Sequence, residues 1–145
     1  MNRDSDKQRP HERLDVWRDA MSLVESVYRI TAGFPDSERL GLTAQLRRAA
    51  VGVPSNIAEG AARRSRLEYI RFLSMARGSL SEMDTQLELA HRLGFAEREP
   101  AIADLLDRTF ARLNALIRSL DSSQRSVRET PSPYESPIPN PQSHA

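Results

Sequence analysis

Between Arg47 and Arg71 the chain carries six arginines, at positions 47, 48, 63, 64, 66 and 71, against Glu59 and Glu68. A guanidinium group presents a planar fork of N–H donors that matches phosphate oxygens, so Arg47, Arg48, Arg63, Arg64 and Arg66 are the candidate contacts to a nucleic-acid backbone. Helical spacing, at about 100° per residue, also lines Gln45, Arg48, Gly52, Asn56, Glu59 and Arg63 along one flank of an apolar face. Polar groups beside a core must find partners, and Arg48 with Glu59 or with Glu82 is the expected pairing. On that reading Gln45, Asn56, Glu59, Gly60 and Glu82 are structural. Only Lys7 breaks the use of arginine as the basic residue, so a scattered helix surface competes with a binding footprint as the explanation of the cluster.

Other chemistries fare less well. Glu88 and His91 have the Glu-x-x-His spacing of carboxylate-bridged iron sites in helical bundles, but such a site needs a second pair and more inward carboxylates. The remaining histidines, His11 and His144, fall near the chain ends. No metal and no cofactor is therefore expected, and His91 reads as a rim residue near a helix C-terminus. There is no cysteine, no strand-turn-helix around a serine and no glycine-rich phosphate loop, so the expectation is a protein that is not an enzyme. Most aromatic residues fall at helical spacing among Leu and Val and read as core. Phe72 lies beside the main stripe of its helix with Met75, Ser79 and Leu93 nearby. That second apolar face predicts self-association.

The elements that must position these residues are four helices. Leu14, Trp17, Met21, Val24, Tyr28 and Thr31 step by three and four and predict a first helix with that stripe inward, ended by Gly33 and Pro35. Asp36 or Ser37 is the expected cap of a second helix running to about Gly60, with Leu42, Leu46, Ala49, Val53 and Ile57 inward, a kink near Ala50 from Pro54, and Gly60 as C-cap. Ser65 to Glu68 forms a capping box. The third helix carries Tyr69, Leu73, Ala76, Leu80, Met83, Leu87 and Ala90 and ends at Gly94. A fourth begins near Pro100 with Ile102, Leu106, Thr109, Leu113, Leu116 and Leu120. Short joints make neighbours antiparallel, so the fold class is all-α, an antiparallel up-down four-helix bundle.

The 145 residues thus divide into a disordered lead-in at 1–12, the bundle at 13–121 and a disordered Pro/Ser-rich tail at 122–145, where five prolines stand between Pro131 and Pro141. Net charge is only +1, so any basic character is local. No apolar run approaches the roughly 20 residues of a membrane span and the polar N-terminus has no signal-peptide segment, so no membrane association and a cytoplasmic location are expected.

The ordered set Leu14-Asp15-Val16-Trp17, Tyr28, Phe34-Pro35, Gly41-Leu42, Gln45-Leu46-Arg47-Arg48-Ala49, Asn56-Ile57-Ala58-Glu59-Gly60, Phe72-Leu73 and Ala76 to Glu82 resembles the bacterial four-helix-bundle family first known as proteins encoded in intervening sequences of 23S rRNA genes. The resemblance runs from Leu14 to Leu120. It implies a left-handed bundle that assembles into a ring-shaped homopentamer with a central channel or basic surface. Relatives include accessory proteins of diversity-generating retroelements, so it also implies nucleic acid and a reverse transcriptase as partner types. The long tail from Asp121 and the near-neutral charge depart from the family pattern. The expected function is a non-catalytic oligomeric adaptor for nucleic acid, structured RNA before DNA. The alternative is a protein–protein interaction scaffold with no nucleic-acid role.

Overall fold

A computed structural model describes residues 9–128, and within them four α-helices and two short 3-10 turns but no strand. Helix α1 spans Asp15–Thr31, α2 Leu42–Ala61, α3 Arg66–Arg92 and α4 Pro100–Arg128. Each helix packs on the next, and α4 closes back onto α1. Cross-helix contacts set the directions. Gly60 lies against Tyr69 and Phe72 while Gly52 lies against Ser79, so α2 and α3 run antiparallel. Arg29 meets Glu99 while Asp19 meets Arg108 and Arg112, which makes α1 and α4 antiparallel as well.

Along α2 and α3 the buried residues follow the expected stripes, with Leu46, Val53, Ile57, Leu73, Leu80 and Met83 fully enclosed. Truncating any of the Leu, Ile or Met side chains among these to Ala costs about 2–5 kcal/mol. Helix α1 turns differently. Its core face is Val16, Ala20, Leu23 and Val27, whereas Met21 and Tyr28 of the expected stripe are exposed. Two apolar stripes lie side by side on this helix, one residue apart. The one built from smaller side chains faces the core, and Trp17 and Val24 pack at its edge.

Helix ends show which local signals operate. Ser65 Oγ accepts the Glu68 N–H at 3.3 Å, as its capping role requires. Gly94 adopts φ 77° after α3, and Gly94 N–H and Phe95 N–H donate to the carbonyls of His91 and Ala90. This left-handed stop needs glycine. At α2 neither Asp36 nor Ser37 caps the helix. They form a 3-10 turn, Asp36–Glu38, which brings the Glu38 carboxylate back to accept the Leu42 N–H at 2.9 Å.

The ends of the bundle differ from the expected boundaries. Residues 10–12, assigned to the lead-in, join Arg13 in a 3-10 turn, and the His11 ring packs on Trp17 at 4.8 Å between centroids. Helix α4 continues past Asp121 to Arg128. The segment between them holds no proline or glycine, so nothing in the backbone stops propagation before the proline-rich stretch. The remainder of the expected lead-in and tail, residues 1–8 and 129–145, lies outside the described residues.

Candidate nucleic-acid interface

Adjacent residues on a helix point about 100° apart, and this splits the arginine pair at the start of the cluster. Arg47 turns toward α1. Its Nε donates to Thr31 Oγ1 at 2.8 Å and its guanidinium lies 4.5 Å above the centre of the Tyr28 ring. Thr31 is buried and donates in turn to the Val27 carbonyl at 2.7 Å. Arg47 is thereby a tie between α1 and α2, and it stands apart from the other candidate arginines. Arg48 is exposed and makes no ion pair among the described residues.

The polar flank of α2 lies along α3. A Cβ on Gly52 would meet Ser79 Oγ at 2.8 Å, and Asn56 Nδ2 donates to the Gly52 carbonyl at 2.8 Å. Gly60 is not a C-cap. It is buried inside α2, where a Cβ would stand 2.9 Å from Tyr69 Cδ2, 3.0 Å from Phe72 Cβ and 3.2 Å from the Tyr69 carbonyl oxygen. The missing side chain lets the two helices approach. Burial against this contact raises the Tyr69 phenol above its ordinary pKa of 10.0.

The expected pairing of Arg48 with Glu59 or Glu82 does not form. Glu59 pairs with Arg63 instead, four residues on and in the favoured order of acid before base. Arg48 lies eleven residues back, about 16 Å along the helix. Glu82 and Gln45 are exposed, and Glu82 has no ion-pair partner among the described residues. An exposed pair gains little over its hydration, so register alone does not bring Arg48 and Glu82 together.

Arg63 also covers the Phe72 ring at 4.9 Å. Beyond it, Arg64 and Arg66 flank Ser65 at the tip of the bundle; both are exposed and make no ion pair among the described residues. The first turn of α3 adds its partial positive charge at the same place. Two committed arginines, 47 and 63, are thus separated from three available ones, 48, 64 and 66. Among the described residues no three His, Cys, Asp or Glu side chains are placed to hold a metal ion.

Comparison with protein families decides the kinship of this arrangement. The model of the 23S rRNA-intervening sequence protein family matches residues 12–119, most of the described bundle. The chain belongs to this family. A search of curated proteins finds no match.

One polar cluster in this chain belongs to none of the sequence motifs. Asp19, 8% exposed, accepts from Arg108 at 3.2 and 3.3 Å and from Arg112 at 2.6 Å, joining α1 to α4. A signal for it exists in the sequence. Asp19 sits three residues after Val16 and four before Leu23, within the buried stripe, and an acid there requires a cationic partner.

Proposed function

We propose that the protein is a non-catalytic oligomeric adaptor that binds nucleic acid, structured RNA foremost, through the turn between α2 and α3. The observation that carries this reading is the state of Arg64 and Arg66. Both are exposed and without an ion-pair partner among the described residues, on a turn held by the Ser65 cap. Phosphate groups supply what such guanidinium forks lack. Arg48 extends the footprint along α2. Arg63 is a reserve contact, since it must first leave Glu59 and the Phe72 ring.

One copy makes a small positive patch on a chain of net charge +1. A ring of five copies, as the family resemblance implies, repeats the patch and raises both local potential and avidity. Exposed apolar side chains favour self-association, with Met75 on α3 46% accessible and Leu93, just past its end, 53% accessible. The same apolar surface supports a second reading, a scaffold whose partner is another protein. The proposed setting is the cytoplasm; no helix of the described residues is long and apolar enough to cross a membrane.

Fluorescence anisotropy with a labelled structured RNA tests the reading. Arg64→Glu with Arg66→Glu weakens binding at least tenfold with unchanged helicity, whereas unchanged affinity removes the turn as the interface. Sedimentation velocity at micromolar concentration gives a pentamer. A monomer there contradicts the ring.

A further inference from the structure

A cavity of about 310 Å³ opens at the end of the bundle opposite the arginine-bearing turn, between the last turn of α1, the C-terminal part of α3 and the start of α4. Ile30, Leu87, Ile102 and Leu106 line it with apolar surface. Its volume stands at the lower end of small-molecule sites. Four carboxylates surround it, Asp84, Glu88, Glu97 and Glu99. Two of them are neutralised. Glu88 is held by Arg92 at 3.2 Å and Arg98 at 2.7 Å, and Glu99 by Arg29 at 3.1 Å. Asp84 and Glu97 are exposed and have no ion-pair partner among the described residues.

Asp84 and Glu97 stand at the mouth without ion-pair partners among the described residues, and although the second arginine on Glu88 offsets one of their charges, the four carboxylates still outnumber Arg29, Arg92 and Arg98 by one. An anion entering here meets like charge, and a cation meets its complement. The His91 ring lines the same cavity, and its Nδ1 is shut off from solvent with no hydrogen-bond partner among the described residues. A bare metal ion does not suit an apolar floor, whereas a hydrocarbon body does.

We infer that this cavity binds a small organic cation, with an ammonium group directed at Asp84 and Glu97 and an aromatic or alkyl body against Ile102 and Leu106. The site is independent of the arginine interface.

Phenethylamine and hydrocinnamate share a phenyl body and carry opposite charges at neutral pH. Each is titrated into full-length, methyl-labelled protein while the Ile102 and Leu106 methyl resonances are followed. Phenethylamine produces saturable shifts with Kd below about 1 mM, and hydrocinnamate does not. Asp84→Asn with Glu97→Gln weakens phenethylamine about 2- to 30-fold, the range of two solvent-screened charge contacts. Ala103→Trp, which places a large ring at the exposed mouth and leaves the buried floor intact, abolishes the shifts while circular dichroism stays unchanged. Equal affinity for hydrocinnamate, unchanged affinity in the double variant, or no saturable shift with either compound overturns the assignment.

Discussion

Gly60 and Gly78 both lie inside helices, yet replacing each with Ala has opposite consequences. In an exposed helix interior Ala is better than Gly by about 0.8–1.0 kcal/mol, because it loses less backbone entropy. A Cβ on Gly78 meets nothing within 4 Å, so Gly78→Ala realises that gain in full. On Gly60 the Cβ would press on Phe72 Cβ at 3.0 Å and on the Tyr69 carbonyl oxygen at 3.2 Å. Those atoms belong to or adjoin the backbone of α3, and they move only if the helix moves. Overpacking of that kind costs about 1–3 kcal/mol, which cancels or exceeds the propensity gain. The two variants should therefore differ by about 1–3 kcal/mol, with Gly78→Ala the more stable. Gly52→Ala falls between them, because its nearest neighbour, Ser79 Oγ at 2.8 Å, can rotate away. Urea unfolding followed by circular dichroism at one fixed protein concentration resolves these differences, since self-association would otherwise shift the apparent stability. If Gly60→Ala stabilises as much as Gly78→Ala, α2 and α3 do not approach at Tyr69 and Phe72 as described.

Asp19→Asn leaves Arg108 and Arg112 without a countercharge, and because both arginines are about half exposed, water compensates part of the loss; urea unfolding should register about 1–2 kcal/mol of destabilisation. Ser65→Ala removes a long capping bond and should cost about 0.5–1 kcal/mol in the same assay. Hydrogen bonds from Arg98 and then Arg92 hold the Glu88 carboxyl below its ordinary 4.5. A carboxylate stabilised in the folded state contributes fully above that ordinary value, and its contribution disappears as pH falls through the lowered folded value. Carbon-detected NMR titration should find Glu88 below 4.5 in the parent protein and closer to it in Arg98→Gln.

The helices with one apolar stripe were legible from spacing alone. α2 has a single seam and α3 a dominant one, and their burial follows it. α1 has two adjacent seams, and only the packing of α2 and α4 around it decides that Val16, Ala20, Leu23 and Val27 turn inward. Local chemistry was legible where it is self-contained. Ser65 caps a helix within three residues, and Gly94 stops one through its own backbone angle. Where a residue's role depends on a neighbour across the bundle, spacing misleads. Gly60 reads as a helix stop until Tyr69 and Phe72 are seen against it, and Glu38 displaces the expected caps only because a 3-10 turn folds it back. The arginine cluster shows the same division. Its extent was readable, but Tyr28 and Thr31 remove Arg47 from it, and Glu59 and Phe72 occupy Arg63.

Salt dependence of RNA affinity is the most direct test that Arg64 and Arg66 meet phosphates. Each phosphate contact contributes a log–log slope of about −0.9 on a duplex and about −0.7 on a single strand. Measured by anisotropy across several salt concentrations, the parent protein should give a steep slope, and Arg64→Ala with Arg66→Ala should make it shallower by about 1.4–1.8 for each copy whose two arginines contact the RNA. A slope near zero, or one that the double substitution leaves unchanged, contradicts nucleic-acid binding through this turn.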